Sequence, residues 1–328
     1  MNIHEIAEAA KNTNTYELAA KTVRNIALND TEKETASYLD EWARKIGETG
    51  HDANREIASF VTRTVNQEFY DAPDELLDQM FDRGSIGEFD DFEADIMPVK
   101  NTLVAYEAAP GGNVRKSYLD YDQCKPEWFN RQVETGVSYR DLRRNGWKSV
   151  ALIADYAVRA LNNAMFHDVF GKVDAALTVG APNVFQETGT TISQATIDAA
   201  TLYLNDRDGG VLIGLSKYIQ AMSKLKGYHS EEMLNEIHRT GRLGMIDGIS
   251  LHPISSAKKL GTGELLIPDK KVFGVSGKLG ALDMRGEVRT YETEENNKEV
   301  VDIKVTGFSY GVAIAPTALE NACKIVLQ

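Results

Sequence analysis

The stretch "NTLVAYEAAPGGNVRKSYLD", residues 101–120, decides the fold class because it has the pattern of two strands joined by a tight turn. Residues 102–107 and 114–121 are β-prone, and Pro110-Gly111-Gly112-Asn113 lies between them. Glycine accepts a positive φ without steric cost, so the stretch predicts a β-hairpin. Its arms alternate charges and aromatic rings instead of presenting one apolar face. A lone two-stranded ribbon is marginally stable in water, so this one must pack on its own domain or on another chain.

A long helix is predicted directly after the ribbon, in "NGWKSVALIADYAVRALNNAMFHDVFGKV", residues 145–173. Apolar residues recur there at helical spacing, which predicts a helix from about residue 147 to residue 170, with Gly171 near its end. At 1.5 Å per residue this helix is roughly 35 Å long. His167 on it is expected to be a surface or packed histidine, because no second histidine or carboxylate pair accompanies it at the spacing of a metal site.

The N-terminal third is acidic and is predicted to be helical. Residues 1–96 hold 22 Asp and Glu against 9 Lys and Arg, a net charge of −13, whereas the remaining residues are balanced. Thr31 is the expected N-cap of one helix, with Glu34 three residues on. Pro73 is expected in the first turn of another helix, with Gly84 past its end.

The acidic run of residues 90–95 has carboxylates at the spacing of metal ligands. An EF-hand loop starting at Asp91 requires glycine and glutamate where Ile96 and Thr102 stand, so we interpret the run as a solvated face. A polyanion is repelled by this third of the chain and weakly held by the rest. We therefore expect no sequence-specific nucleic-acid binding, although the chain could enclose a nucleic acid without gripping it.

Composition places the chain among globular proteins of a reducing compartment. No apolar run approaches 18 residues and no basic-then-apolar leader opens the sequence, so we expect neither a membrane span nor secretion. Cys124 and Cys323 have no partner at metal-ligand spacing, and we expect both to be ordinary thiols in a cytoplasm. We expect no cofactor and no bound metal.

Beyond residue 180 the pattern is mixed α and β. Helices are predicted in "SQATIDAATLYLNDRDGG", "SKYIQAMSKL" and "SEEMLNEIHRTG", and strands in "VLIGL" and "GISLHPI". The segment "GVSGKLG" is not a phosphate-binding loop, because Val272 stands at the position of its first glycine and Leu279 at that of its serine or threonine. His229, His238 and His252 are scattered without a metalloprotease motif.

Gly307, Ser309 and Gly311 form a literal G-x-S-x-G, the nucleophile motif of α/β-hydrolases. That motif needs a strand-to-helix turn and a histidine later in the chain. Here β-prone runs lie on both sides of Ser309, and His252 is the last histidine. We therefore expect strand glycines at a bend or close backbone approach. A serine hydrolase using Ser309 is kept as the disfavoured alternative from another functional class.

The order of elements resembles that of the major capsid (head) proteins of tailed bacteriophages, which have the Hong Kong ninety-seven type capsid fold. The resemblance covers residues 84–328. It rests on the ribbon stretch "NTLVAYEAAPGGNVRKSYLD", on "LLIPDKKVFGVSGKLGAL" and on "YGVAIAPTAL". It implies an α+β fold with an extended β-hairpin (the E-loop), a spine helix in a peripheral domain, and a mixed α/β axial domain.

Five regions follow from this resemblance. They are an acidic helical N-terminal arm (1–83), the E-loop hairpin and connecting strands (84–145), the spine helix and the start of the peripheral domain (146–187), the axial domain (188–275), and return strands of the peripheral domain (276–328). In some relatives a helical leader acts as a scaffold and is cut away. We expect this chain to retain its arm.

The function that the resemblance implies is structural and not enzymatic. Copies would form hexamers and pentamers of an icosahedral virion shell around packaged double-stranded DNA, assembled in the bacterial host cytoplasm with portal and scaffolding proteins and without a membrane. An encapsulin-like cellular nanocompartment is the alternative with the same fold. The charges and aromatic rings of the ribbon suit contacts between subunits, and the candidates are Tyr106, Glu107, Arg115, Lys116, Tyr118 and Tyr121.

Overall fold

The computed structural model describes most of the chain. The described residues are 15–49, 54–71, 75–88, 96–100, 103, 105, 107, 116–117, 120–123, 126–189, 191–225, 235, 237, 239–240, 243–293 and 300–328. Their α-helices are α1 (Thr15–Arg24), α2 (Asp30–Thr49), α3 (Asn54–Asn66), α4 (Glu75–Met80), α5 (Tyr139–Asn145), α6 (Trp147–Ala176), α7 (Gln194–Asn205) and α8 (Ser216–Ser223). A π-helical turn, Gln67–Asp71, extends α3, and a 3-10 turn occupies Ala318–Asn321.

Within the described ranges, the strands form three sheets. They are β1 (Phe81–Ile86), β2 (Ile96–Lys100), β3 (Asp120–Gln123), β4 (Glu127–Ser138), β5 (Val184–Glu187), β6 (Val211–Leu215), β7 (Met245–Ile246), β8 (Ile249–Ile254), β9 (Lys271–Val275), β10 (Gly280–Arg285), β11 (Arg289–Thr293), β12 (Val300–Ile314) and β13 (Ala322–Leu327). Together with the helices they give the α+β class that the sequence predicts.

The first sheet is built around β12, its longest strand. Along one side β12 pairs with β11 and then with β10, and along the other side it pairs with β4, all antiparallel. Strand β1 adds in parallel beside β10. A bulge separates Val305 from Phe308 in the pairing with β4, and Gly307 lies inside it with φ +79°. Glycine adopts this left-handed conformation without strain, which explains the residue at this position.

The second sheet has the order β5-β13-β9-β6-β8-β7. All five residues of β6 are buried, as expected for a short apolar strand in a sheet interior. The last strand, β13, pairs with β5 and β9 here instead of with β12. Residues 276–328 therefore contribute to both sheets, and the proposed domain boundaries stay a prediction.

Helix α6 is the long helix predicted from the apolar spacing. It spans Trp147–Ala176, 30 residues, or about 45 Å. Gly171 lies inside the helix and not at its end, so the helix is longer than predicted. It packs on both sheets: the Phe170 ring lies 5.7 Å from that of Phe273 in β9, and Arg131 of β4 is bonded to Asp168.

The N-terminal helices form part of the main core. Leu18, Leu39, Ile57 and Val61 are buried in it. The Phe60 ring lies 5.7 Å from that of Trp42 and 5.2 Å from that of Trp147. Helix α3 is also tied to the first sheet, because the Asn66 side chain exchanges two hydrogen bonds with the backbone of Val288.

Two boundary predictions in this region were wrong. Helix α2 is capped by Asn29, whose side chain accepts from the Glu32 N–H at 2.7 Å, while the Glu32 carboxylate accepts from the Asn29 N–H at 2.9 Å. This reciprocal box starts two residues before the Thr31 cap that the sequence favoured. Gly84 does not follow a helix end, because α4 stops at Met80 and Gly84 lies within β1, against Asp283 of β10.

The two-stranded ribbon is present at its base. Strand β2 pairs antiparallel with β3, in the sense that the sequence predicts. The ladder joins residues 96–100 to residues 120–123 and so lies nearer the base than the predicted arms. Leu103, Ala105 and Glu107 are not in strand conformation, and the turn at residues 110–113 lies outside the described residues.

The long helix is capped by a side chain from far away in the sequence. Its N-cap residue is Gly146, with φ +52°, which provides no side-chain hydrogen bond. The Trp147 N–H instead donates to Oδ1 of Asp40 at 3.0 Å, and Oδ2 of Asp40 accepts from Arg44 at 2.9 Å. A Cβ on residue 146 would collide with the Asp40 carboxylate, so the site needs glycine.

We predict that Asp40→Ala lowers the free energy of unfolding by about 1 kcal/mol, the usual loss when an N-cap is removed. Asp40→Asn should lose only a fraction of this, because an amide oxygen still accepts the Trp147 N–H. The measurement is chemical denaturation followed by circular dichroism. Glu41→Ala, at the exposed neighbouring position, is the control. Equal effects at positions 40 and 41 would contradict the cap.

Candidate assembly surfaces

The six ribbon residues predicted as contacts are only partly within the described chain. Glu107 and Lys116 are exposed, and Tyr121 lies in β3 opposite Pro98. Tyr106, Arg115 and Tyr118 lie outside the described residues, so the six-residue contact set stays a prediction. Leu103, which was not predicted as a contact, is 54% exposed on the same ribbon. The sequence could have predicted Leu103 as a contact, because it is an apolar residue on an arm that otherwise presents no apolar face.

Strand β4 carries the ribbon into the first sheet and is fixed to the long helix. Arg131 of β4 donates to Asp168 of α6 through Nε at 2.8 Å and through a terminal nitrogen at 2.5 Å. The hydroxyl of Tyr310 in β12 donates to the same carboxylate at 2.5 Å. Burial, and then the bond to Asp168, raise the pKa of Tyr310 above its usual range, so the phenol stays protonated. One buried carboxylate thus joins two strands and the helix.

A second carboxylate of the long helix binds the second sheet. Asp174 accepts from Lys271 of β9 at 2.6 Å and from Lys324 of β13 at 2.9 Å. The Lys324 side chain is almost fully buried, and it also donates to the Asp174 carbonyl at 3.0 Å. Burial would raise the pKa of Asp174, but the bonds from the two lysines outweigh it, and the pKa lies below its ordinary value.

Ser309 does not lie on the strand-to-helix turn that a hydrolase nucleophile occupies. It lies inside β12 between Arg285 of β10 and Asn130 of β4, and the strand continues to Ile314. A Cβ on Gly311 would lie 3.2 Å from the Trp128 ring, and Gly307 forms the bulge. The interpretation of both as strand glycines at a bend and a close approach is confirmed.

The other candidate chemical groups are in structural positions. His167 bonds the carbonyl of Leu265 at 3.0 Å through Nδ1, so it is a packed histidine. Burial raises the pKa of the Cys323 thiol to about 12, which makes it unreactive at neutral pH. Cys124 lies outside the described residues. In the part of the chain that the structure describes, no group of three His, Cys, Asp or Glu side chains could hold a metal, and no helix is long and apolar enough to cross a membrane.

Solved bacteriophage structures share this arrangement. The capsid structure of the cyanophage P-SCSP1u matches with a TM-score of 0.53 and 7% identity, over 77% of this chain and 88% of that one. The chain has the fold of a phage capsid protein. A structure from Microbacterium phage Oxtober96 shares this capsid fold with a TM-score of 0.51 and 13% identity, over 78% and 92% of the two chains.

The similarity to capsid proteins is one of structure and not of sequence. No family model matches the chain, and no curated protein is significantly similar to it. A virus-like particle from Pyrococcus furiosus matches with a TM-score of only 0.41 and 16% identity, over 85% of this chain and 99% of that one.

We predict that Asp168→Asn lowers the free energy of unfolding by about 2 kcal/mol, less than for a fully buried ion pair because Arg131 is partly exposed. Tyr310→Phe should cost about 1.5 kcal/mol, the range for a hydrogen bond to a charged group. Urea denaturation measures both. Glu134→Gln, an exposed carboxylate on β4, is the control. If Asp168→Asn lowers the free energy of unfolding no more than Glu134→Gln does, Asp168 does not join β4 and β12 to α6 as described.

The ion pairs of Asp174 with Lys271 and Lys324 predict that the stability of the subunit depends on pH in acid. A carboxylate with a lowered pKa contributes stability that is complete above the ordinary value of 3.8 and is lost as the pH falls through the lowered value. Asp174→Asn should therefore be less stable than the wild type at pH 7, and its melting temperature should fall less steeply between about pH 5 and pH 2. Calorimetry over this range, with Glu134→Gln as the control, makes the comparison. Parallel curves for wild type and Asp174→Asn would contradict the assignment.

Proposed function

We propose that the protein is the major capsid protein of a tailed bacteriophage, of the Hong Kong ninety-seven type. Its copies assemble as hexamers and pentamers into an icosahedral shell that encloses packaged double-stranded DNA. The observation that carries the proposal is a fold shared with phage capsid structures over most of both chains. The role is structural, and we propose no catalytic activity.

The ribbon supports assembly because, among the described residues, no third strand joins it. Strands β2 and β3 form a sheet of two strands, separate from the other two sheets. Such a pair needs a third strand or a packing surface to be stable in water. Leu103, Glu107 and Lys116 add exposed apolar and charged side chains along the ribbon. A neighbouring subunit would provide the missing surface.

The remaining elements take the roles that this fold assigns. Helix α6 is the spine, the first sheet belongs to the peripheral domain, and strands β6 to β9 of the second sheet belong to the axial domain of residues 188–275. Retention of the N-terminal helices in the mature shell is supported by their buried side chains and by the Asp40 cap on α6. Removing residues 1–83 would expose that core and leave the long helix without its cap.

Packaged DNA is held in this proposal by confinement. The net charge of −13 per chain opposes strong binding to a polyanion. Portal and scaffolding proteins are the further partners, the virion capsid is the final location, and assembly takes place in the cytoplasm of the bacterial host. An encapsulin-like nanocompartment would have neither a portal vertex nor tails, so negative-stain images of particles from infected cells distinguish the two.

We predict that replacing residues 107–117 with a Gly-Asn turn gives a soluble, cooperatively melting subunit that forms no closed shells. The change removes the ribbon tip but leaves α6 and β12 intact, so the core of the subunit should survive. Sedimentation separates shells from subunits. The control shortens the exposed turn at residues 261–263 by the same Gly-Asn replacement and should assemble. Aggregation of the ribbon variant would place the ribbon on its own domain, and normal assembly would exclude it as the contact between subunits.

Ser309→Ala tests the hydrolase alternative. We predict unchanged folding and assembly, because the hydroxyl lies within a strand and no histidine follows it in the sequence, as the hydrolase order requires. The measurement combines thermal melting with ester hydrolysis by the wild type and the variant. An esterase activity of the wild type that disappears in Ser309→Ala would contradict a purely structural role.

A further inference from the structure

Four basic residues lie on one exposed segment at the start of the long helix. Arg140, Arg143 and Arg144 of α5 and Lys148 in the first turn of α6 are all exposed. Positions 140, 143 and 144 share one face of the helix, because residues three and four apart are neighbours. We call these four residues the arginine patch.

The backbone that carries the arginine patch is firmly held. Ser138 caps α5 by accepting from the Asp141 N–H at 3.0 Å, and the Gly146 N–H closes the helix on Leu142 at 2.8 Å. Tyr139 and Leu142 are buried on the inner face. Helix α5 also packs against α2, where a Cβ on Gly47 would lie 2.9 Å from the Arg143 side chain. The four cationic side chains therefore project from a fixed base.

The charges of the arginine patch are not neutralised within the described part of the chain. None of its four side chains forms an ion pair with a described residue. Asp141, the one carboxylate on α5, instead accepts a hydrogen bond from the Ser138 hydroxyl at 2.6 Å. Helix α2 carries exposed glutamates at positions 41 and 48, yet neither pairs with the patch of its own chain. Arg143 and Arg144 lie in the last turn of α5, where the helix dipole favours cations, and their guanidinium groups remain open to an external anion.

We propose that the arginine patch binds carboxylates on the N-terminal helices of a neighbouring copy of this chain. The inference rests on the proposed function, since it requires subunits in contact. Charge complementarity favours this partner: all of the net negative charge lies in residues 1–96, and every copy brings the same acidic surface. Guanidinium groups bind carboxylates in paired, charge-assisted hydrogen bonds. Phosphates of packaged DNA suit the same chemistry, but the charge of the chain opposes them.

Charge reversal tests the patch in the full-length chain. Arg143→Glu with Arg144→Glu should reduce shell yield at least about tenfold, because like charges then face each other in every contact. Arg143→Lys with Arg144→Lys keeps the charge and should assemble. The matched control, Lys224→Glu with Lys258→Glu, makes the same change of charge at exposed sites away from α5 and should also assemble. Circular dichroism verifies that each subunit is folded.

Carbodiimide cross-linking identifies the partner. Shells of the Arg143→Lys, Arg144→Lys variant, assembled from a mixture of ¹⁴N- and ¹⁵N-labelled subunits, carry amines at positions 143, 144 and 148. We expect mixed-isotope cross-links from these amines to carboxylates within residues 15–88. Cross-links within single chains only would overturn the proposal. So would normal assembly of the charge-reversed chain with loss of packaged DNA, which would assign the patch to phosphates.

Failure of this inference differs from failure of the proposed function. If the charge-reversed variant forms as many shells as the wild type, the arginine patch is not a contact between subunits, while the proposed shell function stands. A wild-type chain that forms no particle under any salt condition would contradict the shell itself.

Discussion

The subunit depends on two carboxylates six residues apart on one long helix: Asp168, which is buried, and Asp174, whose side chain is 20% exposed. Asp168 binds Arg131 and Tyr310 of the first sheet, and Asp174 binds Lys271 and Lys324 of the second. Separating the partners of either set of ion pairs would leave a buried charge uncompensated. Each set therefore favours one relative placement of helix and sheet. Helix α6 is consequently the element against which both sheets are positioned.

This arrangement links the ends of the subunit to the surfaces proposed for assembly. Strand β4 follows the ribbon in the sequence and is held to the long helix at Arg131. At the other end, Asp40 caps the same helix from α2, beside the arginine patch on α5. A shell protein needs such fixed surfaces, because closure depends on repeating one contact geometry through every copy.

The sequence predicts elements with strong local signals and fails where the partner is distant. Long apolar spacing predicts α6, and the apolar run "VLIGL" predicts β6. The segment that opens at Ser193 predicts α7, and the structure shows Ser193 as its N-cap. Nothing local pairs Asp168 with Tyr310, 142 residues away, or Trp147 with Asp40, 107 residues away. Asn29 and Thr31 offer equivalent capping chemistry, so local reasoning could not choose between them. The placement of β13 in the second sheet is likewise a long-range outcome.

The most direct test of the account is electron cryo-microscopy of the purified full-length chain after assembly. We predict closed icosahedral particles of megadalton mass, in which the ribbon of each subunit lies on a neighbour and α6 contacts both sheets through Asp168 and Asp174. A population that remains at the subunit mass of 36.3 kDa, with the ribbon folded against its own chain, would contradict it.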